Sequence, residues 1–210
     1  MLKGLFSTPR AQTGAPQFAY PLKLNLGCGF KKMPGYVNVD HFAGSRPDLV
    51  LDLEAVPWPF PGSSVTHVTM DSVLEHVGQK PTVFLAIIGE LWRVCAPGAL
   101  LDITVPHPRH DHFLGDPTHV RAILPATLQA FDQVMNREWV AGGNAATPLG
   151  LQLGVDFSLE NVNFVLDAEW LPKFTSGEMT SEEIVKASRS QDNVIAELQF
   201  KWVAHKPARA

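Results

Sequence analysis

Several things are scarce in this 210-residue chain, and each absence excludes something. There are two cysteines, Cys28 and Cys95, one in a glycine-flanked turn and one on an apolar helical face. That is too few for a disulfide framework and points to a reducing, cytoplasmic setting. There is no basic excess: 17 Lys and Arg against 21 Asp and Glu give a net charge of −4. A chain so charged lacks the electrostatic footprint of a nucleic-acid binder, and no nucleic-acid partner is expected. No apolar run is long enough for a membrane span, and residues 1–17 lack the apolar core of a signal peptide. There is no internal repeat and no low-complexity tract. Residues 1–20, rich in Pro, Gly, Ser and Thr, read as a flexible leader. Residues 21–206 read as one domain, since 45% hydrophobic content suffices for one substantial core.

What is present is organised around residues 22–40, LKLNLGCGFKKMPGYVNVD. Leu22, Leu24 and Leu26 alternate with Lys23 and Asn25, the pattern of a strand. The strand stops at Gly27-Cys28-Gly29, where two glycines permit positive φ and leave the backbone bare for a ligand. A second short strand, residues 36–39, ends on Asp40. An acid there is placed to accept hydrogen bonds from ribose hydroxyls, so the expected ligand contains a nucleoside.

The same stretch also lacks something. A dinucleotide rests its pyrophosphate on a helix N-terminus behind G-x-G-x-x-G. Here Lys32 stands in place of the third glycine, and residues 30–35, interrupted by Pro34-Gly35, are too few for a crossover helix. S-adenosylmethionine carries no phosphate and needs only the glycine turn and the acid.

Further along, residues 48–53 and 65–70 read as a third and a fourth strand. Between them Pro57, Pro59 and Pro61 preclude regular structure. Trp58 and Phe60 in that segment either cover an adenine ring or pack on the sheet. Pro81 opens a helix whose buried face is Phe84, Ile87, Ile88, Leu91 and Cys95, closed by Pro97-Gly98. Residues 99–105 read as a fifth strand. After a polar insert at 107–121, a short helix starts near Pro125 and carries Leu128 and Phe131. Residues 136–161 read as a loop or lid. Residues 162–169 and 194–205 alternate like strands, and Thr180 with Glu183 forms a capping box for a helix running to about Arg189.

As an ordered set these motifs resemble the class I S-adenosylmethionine-dependent methyltransferases, most closely the broad type 11 small-molecule group. Gly27-Cys28-Gly29 matches the glycine turn, with Asn25 on the strand before it, and Asp40 matches the ribose acid. Asp52-Leu53 resembles the pair that flanks the adenine. Asp71-Ser72-Val73-Leu74-Glu75-His76 is similar to the stretch beneath the methionine end. Residues 93–100 resemble the helix–turn–strand before the fifth strand. The resemblance covers roughly residues 22–105. It implies an α/β, Rossmann-like, seven-stranded and mostly parallel sheet, with an antiparallel C-terminal hairpin and helices on both faces. It departs from the pattern in the missing first helix, and in Ala96 and Ala99, which stand where a basic residue and a second glycine are usual. The implied cofactor is S-adenosylmethionine, and the implied activity is methyl transfer to a small molecule, with sugar- or lipid-linked intermediates as candidate acceptors. No N/D-P-P-Y tetrapeptide follows the fourth strand, which argues against methylation of nucleic-acid bases. A nicotinamide-dependent oxidoreductase or epimerase is the alternative, disfavoured by the missing third glycine and the lack of a Y-x-x-x-K pair. A non-catalytic cofactor-binding partner module is a third reading.

Methyl transfer from a sulfonium depends mainly on alignment, with a base needed only where the acceptor must lose a proton. The candidate bases are His110, His112 and His119 in the insert, beside Glu75 and His76. The insert follows the fifth strand, at the end of a parallel sheet where ligands bind. Its histidines have the intrinsic pKa of a base at neutral pH. His110, His112 and His119 with Asp111 or Asp116 also carry donor types that suit a divalent transition metal. Their spacing matches no known site pattern, so no metal ligand is assigned. A third role is to fix an irregular loop through hydrogen bonds.

Overall fold

In the computed structural model, residues 20–210 are described; the expected leader lies almost entirely outside them. Seven strands form one sheet: β1 (Leu22–Leu26), β2 (Val37–Asp40), β3 (Leu49–Val50), β4 (Val65–Asp71), β5 (Cys95–Pro106), β6 (Phe157–Leu166) and β7 (Ile195–Ala204). Their spatial order is β3-β2-β1-β4-β5-β7-β6. β1 to β5 run parallel, and β7 inserts antiparallel between β5 and β6. The expected mostly parallel sheet with an antiparallel C-terminal pair is thus observed. The helices are α1 (Pro81–Val94), α2 (Asp111–Leu114), α3 (Pro125–Gln129), α4 (Gln133–Ala141), α5 (Leu149–Leu153), α6 (Leu171–Thr175) and α7 (Ser181–Ser188). None of these is long and apolar enough to cross a membrane.

Register explains where the core lies. Leu24, Val68, Leu101 and Trp202 are aligned across β1, β4, β5 and β7, and Leu26, Met70, Ile103 and Phe200 form the next such row. All eight are buried, in one cluster with Phe84, Ile87, Ile88, Leu91 and Val94 of α1. Trp202 stacks on Phe157 at 3.9 Å between ring centroids and meets Phe131 edge-on at 5.9 Å, tying β6 and the link between α3 and α4 to the same core. The alternate rows are Lys23, His67, Leu100 and Val203, then Asn25, Thr69, Asp102 and Lys201. Lys23, Leu100 and Lys201 are exposed. Helices surround the sheet, although the links from β1 to β2, β2 to β3 and β3 to β4 contain no α-helix.

Three stretches differ from expectation. The stretch 136–161 is not a loop: it holds most of α4, all of α5 and the start of β6. Asp132 caps α4 by accepting from the amides of Val134 and Met135, and Asn136 inside that helix is fully buried. β6 begins at Phe157, not 162, because its register slips between Leu159 and Asn161. One extra residue there breaks the period-2 pattern that marks a strand. The expected third strand, 48–53, shrinks to two residues. By contrast α1 opens at Pro81, and α7 carries the Thr180–Glu183 capping box.

Candidate functional site

At the end of β1 the chain turns through Gly27 (φ 66°) and Gly29 (φ 48°). The two glycines answer different needs. A Cβ on Gly27 would lie 2.5 Å from Val73 Cγ2, whereas one on Gly29 would meet nothing within 4 Å. Gly27 lets Val73 close against the turn, and Gly29 leaves open space beside it. Cys28 between them is buried, and its amide donates to the Val39 carbonyl. Burial and the neighbouring Asp40 charge push its thiol pKa up.

Asp40 is buried, and its Oδ2 accepts from the Gly29 amide at 2.7 Å while Oδ1 accepts from Phe42 at 2.8 Å. A carboxylate offers about four acceptor sites, so two backbone amides do not saturate it.

Asn25, expected among the cofactor contacts, has its side-chain donors engaged within the chain. Its Nδ2 donates to the Lys31 carbonyl and to Asn38 Oδ1, both at 2.9 Å. Asn38 Oδ1 also accepts from the Met33 amide, and Asn38 Nδ2 donates to Asp48. This chain of buried amides holds residues 27–36 where a helix would otherwise shape the loop. With its donors so engaged, Asn25 positions the loop. Asn38 was legible as a polar residue within the apolar strand VNVD; Asp48 carries no such signal.

Asp52 is exposed and accepts from the Glu54 amide, while Leu53 is buried and its carbonyl accepts from Trp58 Nε1. Trp58 and Phe60 are both 2% exposed, so they pack in the core rather than cover an adenine. Arg93 of α1 fastens their loop, donating to the Trp58 and Phe60 carbonyls and to Glu90. Burial raises the Glu90 carboxyl, but Arg93 and the Trp58 amide outweigh it and hold its pKa below the usual value.

Asp71, the last residue of β4, pairs with Lys31 at 2.9 Å, a contact that joins the glycine loop to the β4 tip. Ser72 follows in the left-handed region (φ 55°), and its amide donates to Thr104 of β5. A non-glycine residue there is held against a local cost of about 1–3 kcal/mol, as is common near binding sites.

The histidines divide into two groups. His110 is 3% exposed; its Nε2 meets Asp167 at 3.2 Å, and its Nδ1 accepts from the His112 amide at 3.0 Å. His112 is exposed, its ring 4.2 Å from that of His110. The two line a cavity of about 290 Å³ with Asp111, Asp167, Glu169 and Asn193. None of those lining residues belongs to the glycine turn. His119 keeps other company. Its ring lies 4.5 Å from His76 and 5.1 Å from Phe113, and one donor atom each from Glu75, His76 and His119 falls within 4.8 Å of the others. Burial lifts the Glu75 carboxyl to about 7 and, with the neighbouring His119, lowers the His76 pKa. The insert thus supplies one histidine to the β4 exit and two to the β6–β7 end. Thr118, which bonds His76 Nδ1 at 2.9 Å, belongs to the same group and carries no signal in the sequence.

No protein-family model matches the sequence, and no curated protein does. Solved structures do. A SAM-dependent methyltransferase from Archaeoglobus fulgidus aligns over 87% of this chain and 86% of its own, at 16% identity and a TM-score of 0.57. This chain has that fold. A putative S-adenosylmethionine-dependent methyltransferase from Listeria monocytogenes aligns over 90% of this chain and 94% of its own, at 12% identity and a TM-score of 0.49. A 16S rRNA (adenine(1408)-N(1))-methyltransferase from Catenulisporales acidiphilia covers 90% of this chain and 87% of its own, at 14% identity and a TM-score of 0.47. At these identities the likeness concerns the fold alone.

Proposed function

We propose that this chain is an S-adenosylmethionine-dependent methyltransferase acting on a small-molecule acceptor. The observation that carries the reading is the glycine turn: open beside Gly29, closed by Val73 at Gly27, and rimmed by Asp40. The residues fit such a cofactor. The remaining acceptor capacity of Asp40 suits ribose hydroxyls, the bare backbone at residues 27–29 admits close approach, and no helix N-terminus follows to seat a pyrophosphate. Asp52 and Leu53 would flank the base, and Asp71 and Ser72 the amino-acid end. The cofactor supplies an electrophilic methyl group on a sulfonium. The chain's own residues then have to orient the acceptor and exclude water. Glu75, His76 and His119 are the candidates to touch the acceptor: the first two directly follow the segment that packs on the turn, and His119 lies beside them. His110 and His112 face the separate cavity between the insert and β6–β7. The net charge of −4 and the absence of a basic footprint favour a small molecule over nucleic acid.

Calorimetry with S-adenosylhomocysteine and with NADH tests this reading, together with mass spectrometry of ligand carried through purification. Saturable S-adenosylhomocysteine binding with no response to NADH is expected. Saturable NADH binding without an S-adenosylhomocysteine response overturns it.

A further inference from the structure

Glu75 is fully buried, and neither of its carboxylate oxygens has a hydrogen-bond partner. A buried carboxyl without a partner is costly. Asp71 and Asp116 add negative potential around it, and the Nε of Arg121 is likewise buried without a partner. Arg121 follows in the chain with its amide on the Glu75 carbonyl, yet its guanidinium bonds the Gly78 carbonyl at 2.7 Å and lies 4.2 Å from the Phe84 ring centre.

Two imidazoles stand beside this carboxylate, and each is fixed through Nδ1. His119 Nδ1 lies 2.8 Å from the Phe113 carbonyl, which can only accept, so Nδ1 carries the proton and Nε2 keeps its lone pair. His76 Nδ1 lies 2.9 Å from Thr118 Oγ1, and that hydroxyl donates to Asp116 Oδ1 at 2.6 Å. The hydroxyl proton being engaged, Oγ1 accepts from His76 Nδ1, and Nε2 is again the free lone pair. A ring whose far N–H is anchored on a carbonyl or on a carboxylate relay is the usual arrangement of a metal-ligating histidine.

We propose that Glu75, His76 and His119 bind a divalent transition-metal ion. Asp116 Oδ2, 3.9 Å from His119 Nε2, adds negative charge at the rim. Imidazole with carboxylate suits zinc, manganese, iron or cobalt, whereas calcium and magnesium favour oxygen ligands throughout. Bonds of about 2.0–2.2 Å set ligand atoms about 3.5 Å apart, so a cluster within 4.8 Å closes by small side-chain rotations. Three protein ligands leave a position for an oxygen ligand. The site stands on its own residues and does not depend on the methyl-transfer reading.

The test is cobalt(II) titration of the untagged, chelator-stripped full chain, followed by its visible absorption and by zinc competition. One equivalent should bind and give the intense bands of four- or five-coordinate cobalt. His76→Ala, His119→Ala and Glu75→Gln should each lower affinity at least tenfold. Thr118→Val, which removes only the hydroxyl that orients His76, should lower it about 10–100-fold. His112→Ala should leave it unchanged. Glu75→Gln keeps the shape without the charge, and circular dichroism checks that it folds. Absence of the bands in the wild-type chain overturns the proposal, whatever the variants do. So does a cobalt spectrum indifferent to His76→Ala and His119→Ala, or one abolished by His112→Ala.

Discussion

Asp40 Oδ2 accepts the Gly29 amide at 2.7 Å, so the acid ending β2 and the glycine turn ending β1 form one structural unit. An acid in this place therefore has two tasks: it sets the shape of the turn and lends acceptor capacity to whatever lies against it.

Asp40→Ala should show both. Two buried-side amides lose their acceptor, which lowers unfolding stability by about 1–3 kcal/mol in urea titrations. Loss of charge-assisted bonds to cofactor hydroxyls should weaken S-adenosylhomocysteine binding by about 1.5–3 kcal/mol in calorimetry. A variant that folds with normal stability and binds as tightly as wild type would show that Asp40 serves neither task.

Gly27 and Val73 should be energetically coupled. Gly29→Ala carries only the left-handed backbone cost, about 1–2 kcal/mol, because nothing occupies the space its Cβ would take. Gly27→Ala adds a collision with Val73 to the same cost and should destabilise more, by about 3 kcal/mol in total. Val73→Ala in the Gly27→Ala background should recover part of the loss. A double-mutant cycle on urea midpoints measures this, and strictly additive effects would refute a steric origin.

The C-terminal segment is held by charge. Arg209 Nη2 lies 2.8 Å from Asp156 and 2.9 Å from Asp132, and the Asp156 side chain is fully buried. Arg209→Ala leaves that carboxylate without its counter-charge and should cost about 3 kcal/mol at neutral pH. Burial raises the Asp156 pKa, but the Arg209 hydrogen bonds outweigh it and hold the folded value below the ordinary one. A carboxyl depressed in the folded state contributes stability above its unfolded pKa of about 3.9 and loses it as pH falls through the folded value. The stability difference between wild type and Arg209→Ala should therefore be full above about pH 4 and shrink in more acid solution. A difference that stays constant to pH 2 would place the effect in packing instead.

The sequence by itself determined the order and kind of the central elements. Leu24 and Leu26, Val68 and Met70, Leu101 and Ile103, Phe200 and Trp202 alternate with polar neighbours, and a pleated strand converts that alternation directly into two faces. Pro81 and the Thr180–Glu183 box set helix starts, because capping is satisfied by residues adjacent in the chain. Gly27, Gly29 and Asp40 were legible because a turn needs positive φ and the last residue of one parallel strand comes level with the turn that ends its neighbour. What depended on distant partners was not. The pairing of the Asn25 donors with Asn38 and Lys31 was not visible in the chain, and Trp58 looked free until Leu53 and Arg93 enclosed it. The extra residue in β6 hid that strand's first half, since a bulge breaks the period by which strands are read. The histidines were sorted last: His110 went to Asp167 and His119 to His76 and Glu75. Eight residues of insert separate those two rings in the chain, and only the fold of the loop between β5 and α3 decides which way each one faces.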